Sequence, residues 1–438
     1  MRKLSEVRKA VLAAIDQHRE QIIAIGEYVW RNPEAGYREF KTSQKAAEVL
    51  ESLGLSVKKK LGVTGLRADL DSGRPGPVLA VLGEMDALIL PSHPESDEST
   101  GAVHACGHNC HITAMLGAAI GLCHSRAADA LSGKIAFIAN PAEECIEFAS
   151  RLQLMAKKKI LAIGGKCDQI LRGVFRDVDM AIMNHVGTGE NYGAAGHNGF
   201  IVKNVIFHGK SCHAAWPARG VNALNAATLA QNAVAMLRET FTDSSIRVHG
   251  IMTNGGDVVN IIPDNVRMEY MLRADSLDKI KHLSQLFDQA MLGAAMALGA
   301  QAEIITTPGY MTMENDEALG EVFRDAVHLL HPEAVVNINT GFSTGSTDMG
   351  DVSHIMPAIH ASVPGTGGTG HGIDYHVADP EKAYIENAKI LALMAVELLY
   401  GNADKGREIA ARRCGCISQE QYRAEIAELS YVSKSPGL

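Results

Sequence analysis

The chain has 438 residues, of which 46% are hydrophobic and 21% charged, with a formal net charge of −9. This length exceeds one ordinary domain and fits two or three, and the composition is that of a soluble globular protein with a large core. No stretch approaches the roughly 20 apolar residues of a membrane-spanning helix, and the basic runs at 58–60 and 157–159 are too short to make nucleic acid or an anionic membrane the expected partner.

The first twenty residues predict an amphipathic helix containing acids, not a secretory signal. The scattered cysteines point to free thiols in a reducing, cytoplasmic compartment. Cys414 and Cys416 leave a redox pair open, against the commoner reading of two surface thiols. Residues 5–54 predict helix, broken at the Asn-Pro-Glu-Ala-Gly run 32–36. Residues 64–70 and 78–83 predict strands joined by a Gly/Pro turn. A polar loop follows at 91–100, then a helix of small residues at 111–124, and strands at 134–140 and 178–184. From 199 the pattern changes to strand 200–208, helix 221–239, strands 246–253 and 266–274, helix 277–298 and strand 302–306. That order is the ferredoxin-like β-α-β-β-α-β arrangement. It predicts an inserted domain over 199–308, with 1–198 and 309–438 forming the larger part. The larger part resumes with a helix at 317–330, a strand at 354–363 and a closing helix at 380–400. The fold class is therefore α/β, with a smaller α+β domain inserted in it.

Three apolar strands each end in metal-binding residue types. Residues 77–83 lead into Glu84 and Asp86, 134–140 into Glu143 and Glu144, and 178–184 into His185. Open α/β sheets gather ligands at the carboxyl ends of their strands. Cys106 and His108, two apart before a helix, suit zinc or another borderline metal. Adjacent side chains at Glu143 and Glu144 point to opposite sides, so one can ligate a metal while the other acts as general base. His371 follows a glycine-rich loop, and His376 competes for the same role. Asp86 could orient a ligand from behind. His213, in the inserted domain, could stabilise an oxyanion. Each of these residues also has an ordinary structural reading. The claim for a site rests on their company.

The run His104-Ala-Cys-Gly-His-Asn-Cys-His111, with Ala114-Met115-Leu116, resembles the HACGHDxH…AML signature of the peptidase M20 family, in its amidohydrolase/aminoacylase branch. Pro141-Ala-Glu-Glu144, His185-Val186, Gly209 to Pro217 with the Gly220-Val-Asn-Ala-Leu224 run, and the 255–264 segment are similar to further motifs of that family. The resemblance covers the chain from about residue 31 to the 380–400 helix. Asn109, the 83–88 run and the 345–353 run are similar to aminobenzoyl-glutamate hydrolase and related dipeptidases. It implies a two-domain metallo-exopeptidase fold with a lid and dimerisation domain, and a homodimer or higher homo-oligomer acting on a small molecule. It implies Zn or Mn, one or two ions, with Cys106 bridging and His108, Glu144, His185 and His371 ligating. It further implies Glu143 as general base, Asp86 in support, His213 reaching an active site from the lid, and Asn260 and Arg273 holding a substrate carboxylate. Asn109 departs from the family's aspartate, and Cys110 and Cys145 add thiols. The expected reaction is hydrolysis of the amide C–N bond of an N-acyl amino acid or dipeptide. Hydrolytic deamination of an aromatic amine, and a scaffold that has lost catalysis, are the alternatives.

Overall fold

The computed structural model describes residues 2–437. Two compact units divide the chain: the first holds Met1–Gly196, Met313–Phe342 and Asp348–Gln419, the second His197–Thr312, Ser343–Thr347 and Glu420–Leu438. The fold class is α/β, as the sequence predicts.

The first unit is built on an eight-stranded sheet, in the order Val57–Lys59, Leu66–Asp71, Lys134–Asn140, Val78–Glu84, Met180–Gly187, Ala358–Pro364, Tyr192–His197 and Val336–Ser343. Val78–Glu84 runs parallel to both of its neighbours, and Met180–Gly187 runs parallel to Ala358–Pro364. These central strands are near-continuous apolar runs, as strands covered on both faces must be. The helix His108–His124 is buried along almost its whole length. Its small residues explain how: a Cβ at Gly121 would meet Ile15 at 2.4 Å, so only glycine lets Leu4–Gln17 pack so close. Asn387–Leu399 covers it further, and Ile22, Leu116, Leu391 and Met394 join one core.

The structure departs from the sequence reading in several places. The N-terminal helical region breaks at His18 as well as at the predicted proline run, giving Leu4–Gln17, Arg19–Trp30 and Phe40–Ser52. The strand expected at 354–363 is a helix, Met349–Ile355, followed by the strand Ala358–Pro364. Pro357 lies between them, where it cannot continue a helix. The sequence reading has no helix at Phe148–Ala156 or Gly165–Leu171, where the structure has both. Cys416 is in no disulfide with another described cysteine, and the Cys414 side chain lies outside the described residues.

The second unit contains a five-stranded antiparallel sheet, ordered Arg247–Asn254, Asn265–Ala274, Gly199–His208, Gln301–Tyr310 and Tyr431–Lys434. Helices Ala223–Leu237 and Leu277–Ala297 contribute with the sheet to a core that includes Val205, Phe207, Leu272, Phe287 and Met291. Asn222 caps the first helix by accepting from the Leu224 and Asn225 amides, and Ser276 caps the second. The strand Tyr431–Lys434 has no counterpart in the sequence reading, which left everything after 308 in the larger part. It is held by more than backbone pairing. Buried Lys203 Nζ lies 2.6 Å from Asp288 Oδ1, and 3.1 Å from the Tyr431 hydroxyl, while Ser433 Oγ donates to Asp288 Oδ2 at 2.9 Å. A lone buried ammonium would be strongly destabilising, so the closing strand helps to satisfy a charge that the rest of the sheet has enclosed.

Candidate metal and active site

The strand ends deliver the site. Glu84 closes the strand Val78–Glu84, with Asp86 just beyond it. Glu143 and Glu144 follow Lys134–Asn140, and His185 lies near the end of Met180–Gly187. Cys106 and His108 flank Gly107, which has a φ of 87°. A Cβ there would lie 2.4 Å from Val186 and 2.5 Å from the Tyr375 hydroxyl, so both the φ and the space require glycine. The His371 amide donates to Ala105 O at 2.9 Å, bringing that loop back over the Cys106 turn.

Two groups of ligand atoms converge, and they share one residue. The ligand atoms of Cys106, His108 and His185 lie within 4.8 Å of one another, as do those of Cys106, Glu144 and His371. Cys106 Sγ is 3.5 Å from His185 Nε2, and His371 Nε2 is 3.2 Å from Glu144 Oε1. Here His371 stands beside Glu144. His376 instead sits in a short strand pairing with Thr366–Gly367, and its Nδ1 contacts Asp374 O.

The protonation pattern fits a bound cation. His108 Nδ1 lies 3.1 Å from Asp86 Oδ1 and donates there, so Nε2, buried and without a hydrogen bond, is the nitrogen that would ligate. Burial opposes protonation, but the Glu84, Cys106 and Asp86 charges raise His108 well above its ordinary range, so a metal would take the place of the Nε2 proton. His185 Nδ1 contacts Val186 O at 2.6 Å, which likewise leaves Nε2 as the lone-pair nitrogen. Burial, with Glu144 beside it, pushes the Cys106 thiol well above its ordinary range, so a neighbouring cation is what would hold it as thiolate. Thiolate, imidazole and carboxylate together suit Zn or another transition ion. For Glu143, burial and then Glu84 and Glu144 raise the carboxyl well above the usual range. Glu144 is also buried, but the close contact with His371 and the charges of His371 and His108 hold it below the usual range. Two adjacent carboxyls with opposite shifts suit different tasks.

The backbone of the Pro141–Glu144 turn is pinned by charged side chains. Ala142 takes a left-handed φ of 54°. Its amide donates to Glu39 Oε1 at 2.8 Å, and its carbonyl accepts from Arg151. The Glu144 amide donates to Asp86 Oδ2 at 2.8 Å, and the Glu144 carbonyl accepts from Arg151. Asp86 therefore serves His108 through one oxygen and the Glu144 backbone through the other.

Several functional neighbours have no assigned role in the sequence reading. His111 Nδ1 donates to Glu84 Oε2 at 2.9 Å while its Nε2 accepts the Val186 amide at 3.1 Å, so both nitrogens are occupied and the ring is neutral. Glu84 Oε1 and Asp348 Oδ1 each lie 2.5 Å from Lys166 Nζ, all three residues being fully buried. Glu84 and His111 lie within or beside the recognised motifs, and Asp348 falls in the 345–353 run. Glu39, Arg151 and Lys166 carry no local signal, since a single charge is ordinarily solvated. Of the residues that depart from the family pattern, Asn109 donates to the Tyr384 hydroxyl at 3.0 Å and Cys110 belongs to the hydrophobic core, so Cys110 does not add a thiol to these ligand groups.

His213, Asn260 and Arg273 belong to the second unit. His213 forms an isolated bridge with Ile261, and the Ala214 amide donates to Asn260 O at 2.9 Å, so the two loops are tied together. The Arg273 guanidinium lies over the Phe200 ring, 5.5 Å from its centroid.

Residues 80–397 match the profile of peptidase family M20/M25/M40. The chain belongs to this family. It is 28% identical over 423 residues to the mouse (Mus musculus) Xaa-Arg dipeptidase, covering 91% of this chain and 90% of that protein. It is also 28% identical over 317 residues to an N-acetyl-L-cysteine deacetylase of Bacillus subtilis, covering 70% and 72% respectively. Its fold is similar to the crystal structure of a dinuclear metal-binding M20 peptidase of Bacillus subtilis, with a TM-score of 0.65, 21% identity and coverage of 88% and 99%. As a member of this M20 family, the chain is a hydrolase, and the shared Cys106 lies where its two ligand groups meet.

Proposed function

We propose that the protein is a metal-dependent amidohydrolase that cleaves the amide C–N bond of N-acyl amino acids or dipeptides. The observation that carries this reading is the Glu143–Glu144 pair. Glu144 faces His371 in a ligand group, while Glu143 is a buried carboxyl of raised proton affinity 3.8 Å from His108 Nε2. Cys106, His108, Glu144, His185 and His371 would hold Zn or Mn, one or two ions. The metal supplies Lewis-acid polarisation of the carbonyl and activation of water. Glu143 takes the proton of the attacking water and returns it to the leaving amine. Asp86 holds the His108 tautomer and the Glu144 backbone. The roles of His213 at the developing oxyanion, and of Asn260 and Arg273 at a substrate carboxylate, follow the family resemblance. Arginine suits the last role through its planar fork.

The same reading takes the lid and dimerisation domain as 199–308 and the assembly as a homodimer. The described cysteines form no disulfide with one another, which supports a reducing, cytoplasmic location. Among the described residues, no helix is long and apolar enough to cross a membrane.

The test is elemental analysis of purified protein, together with a panel of N-acyl amino acids, aminobenzoyl-glutamate, dipeptides and aromatic amines. Amide cleavage lost on chelation and restored by Zn or Mn is the expected outcome. Ammonia as the only small product would replace this reading with deamination. Metal-free, inactive protein would overturn both.

A further inference from the structure

The Glu84, Glu143 and Asp348 carboxylates each place an oxygen within 4.8 Å of the others in the first unit, with Glu84 and Asp348 buried and Glu143 largely so. Three buried carboxylates so close repel one another unless a cation lies among them. Lys166 supplies one. Its Nζ contacts Glu84 Oε1 and Asp348 Oδ1, both at 2.5 Å, and its backbone amide donates to Asp348 Oδ2 at 2.8 Å. The side chain is wholly buried. Asp348 thus grips both the head and the backbone of Lys166, which fixes where the ammonium sits.

We propose that Lys166 is a resident cation standing in for a metal ion at the Glu84–Glu143–Asp348 trio, confining divalent ions to the neighbouring Cys106 groups. The chemistry of the trio is distinct from that of those groups. It offers only carboxylate oxygens, the donor set of hard ions such as Mg²⁺ and Mn²⁺, whereas Cys106, His108 and His185 offer sulfur and nitrogen. With the ammonium on Glu84 Oε1, the other Glu84 oxygen is committed to His111. Glu84 is thereby kept from capturing an ion that belongs beside His108, whose Nε2 is only 3.4 Å from Glu84 Oε2. The Lys166 charge also acts on Glu143 without making it a ligand, so Glu143 remains available to carry a proton. The last point rests on the amidohydrolase reading. The cation count does not.

The experiment counts Mn²⁺ bound per full-length chain, by equilibrium dialysis and elemental analysis, in the wild type and three variants. Lys166→Met is expected to take up one more Mn²⁺ than the wild type, and Lys166→Arg, which keeps the charge, no more than the wild type. Adding Asp348→Asn to Lys166→Met should abolish the extra ion. An unchanged count in folded Lys166→Met overturns the proposal. Should that variant fail to fold alone, refolding in millimolar Mn²⁺ decides: recovery with the extra ion supports the stand-in role, and failure with or without Mn²⁺ overturns it. A wild type that binds no Mn²⁺ or Zn²⁺ would sink the metal reading of the Cys106 groups, yet the increment on replacing Lys166 would still be readable.

Discussion

Asp86 faces His108 with one carboxylate oxygen, 3.1 Å from Nδ1, and accepts the Glu144 amide with the other at 2.8 Å. One side chain thus orients two separate ligand residues. Asp86→Asn keeps the shape but replaces an acceptor oxygen with a donor, so one of these contacts must fail. Metal affinity should fall by roughly 10- to 100-fold, the range for removing such supporting groups. Competition with a chromophoric chelator measures it. An unchanged affinity would mean that Asp86 does not support the ligands.

Glu143 and Glu144 should separate by substitution. Glu143→Gln should lower kcat by roughly 10²- to 10⁴-fold, the usual contribution of a general acid–base group, with bound metal unchanged. Glu144→Gln should lower metal content as well. The reverse pattern in paired elemental analysis and kinetics would exchange their roles.

Glu39 makes stability depend on pH. Burial, reinforced by the nearby Asp86 charge, pushes its carboxyl up to about 8 from 4.5. Between those values the folded state binds a proton that the unfolded state releases. The stabilisation is complete below about 4.5 and is lost as pH rises through about 8, with a slope of up to about 1.4 kcal/mol per pH unit. Urea midpoints measured from about pH 5 to pH 8.5 should decline in the wild type relative to Glu39→Gln, which does not titrate there. Parallel profiles would refute the assignment.

Gly107→Ala places a methyl where Val186 and the Tyr375 hydroxyl already stand, and does so at a positive φ. Overpacking and backbone strain each cost of the order of 1–3 kcal/mol. The thermal midpoint should fall, and metal affinity with it, because the turn sets Cys106 against His108. A variant with wild-type midpoint and affinity would show that the turn tolerates the change.

Much of this site is legible in the sequence because its residues cluster in short motifs at strand ends. Glu143, Glu144 and His185 can be recognised from residue type and the apolar run before them, and Cys106 and His108 from their spacing just before a helix. The supporting residues are less visible for a physical reason. Glu39, Arg151 and Lys166 act through contacts with residues far away in sequence, and nothing nearby marks them as buried. The same holds for the fold. Apolar runs reveal the central strands, whereas Tyr431–Lys434, only four residues long and with no continuous apolar run, becomes a strand because Gln301–Tyr310 offers it an edge. The Met349–Ile355 helix is hidden because its apolar residues run on into the next strand.

The interleaving of the two units along the chain has a consequence for biosynthesis. The strand Met180–Gly187 leaves the ribosome long before its parallel neighbour Ala358–Pro364, and Gln301–Tyr310 long before Tyr431–Lys434. Neither sheet can close on the nascent chain until the distal partner has been made. Apolar strand edges therefore stay open through much of translation, the condition under which growing chains aggregate, and the yield of active protein should respond to chaperone supply more than the stability of the finished fold would suggest.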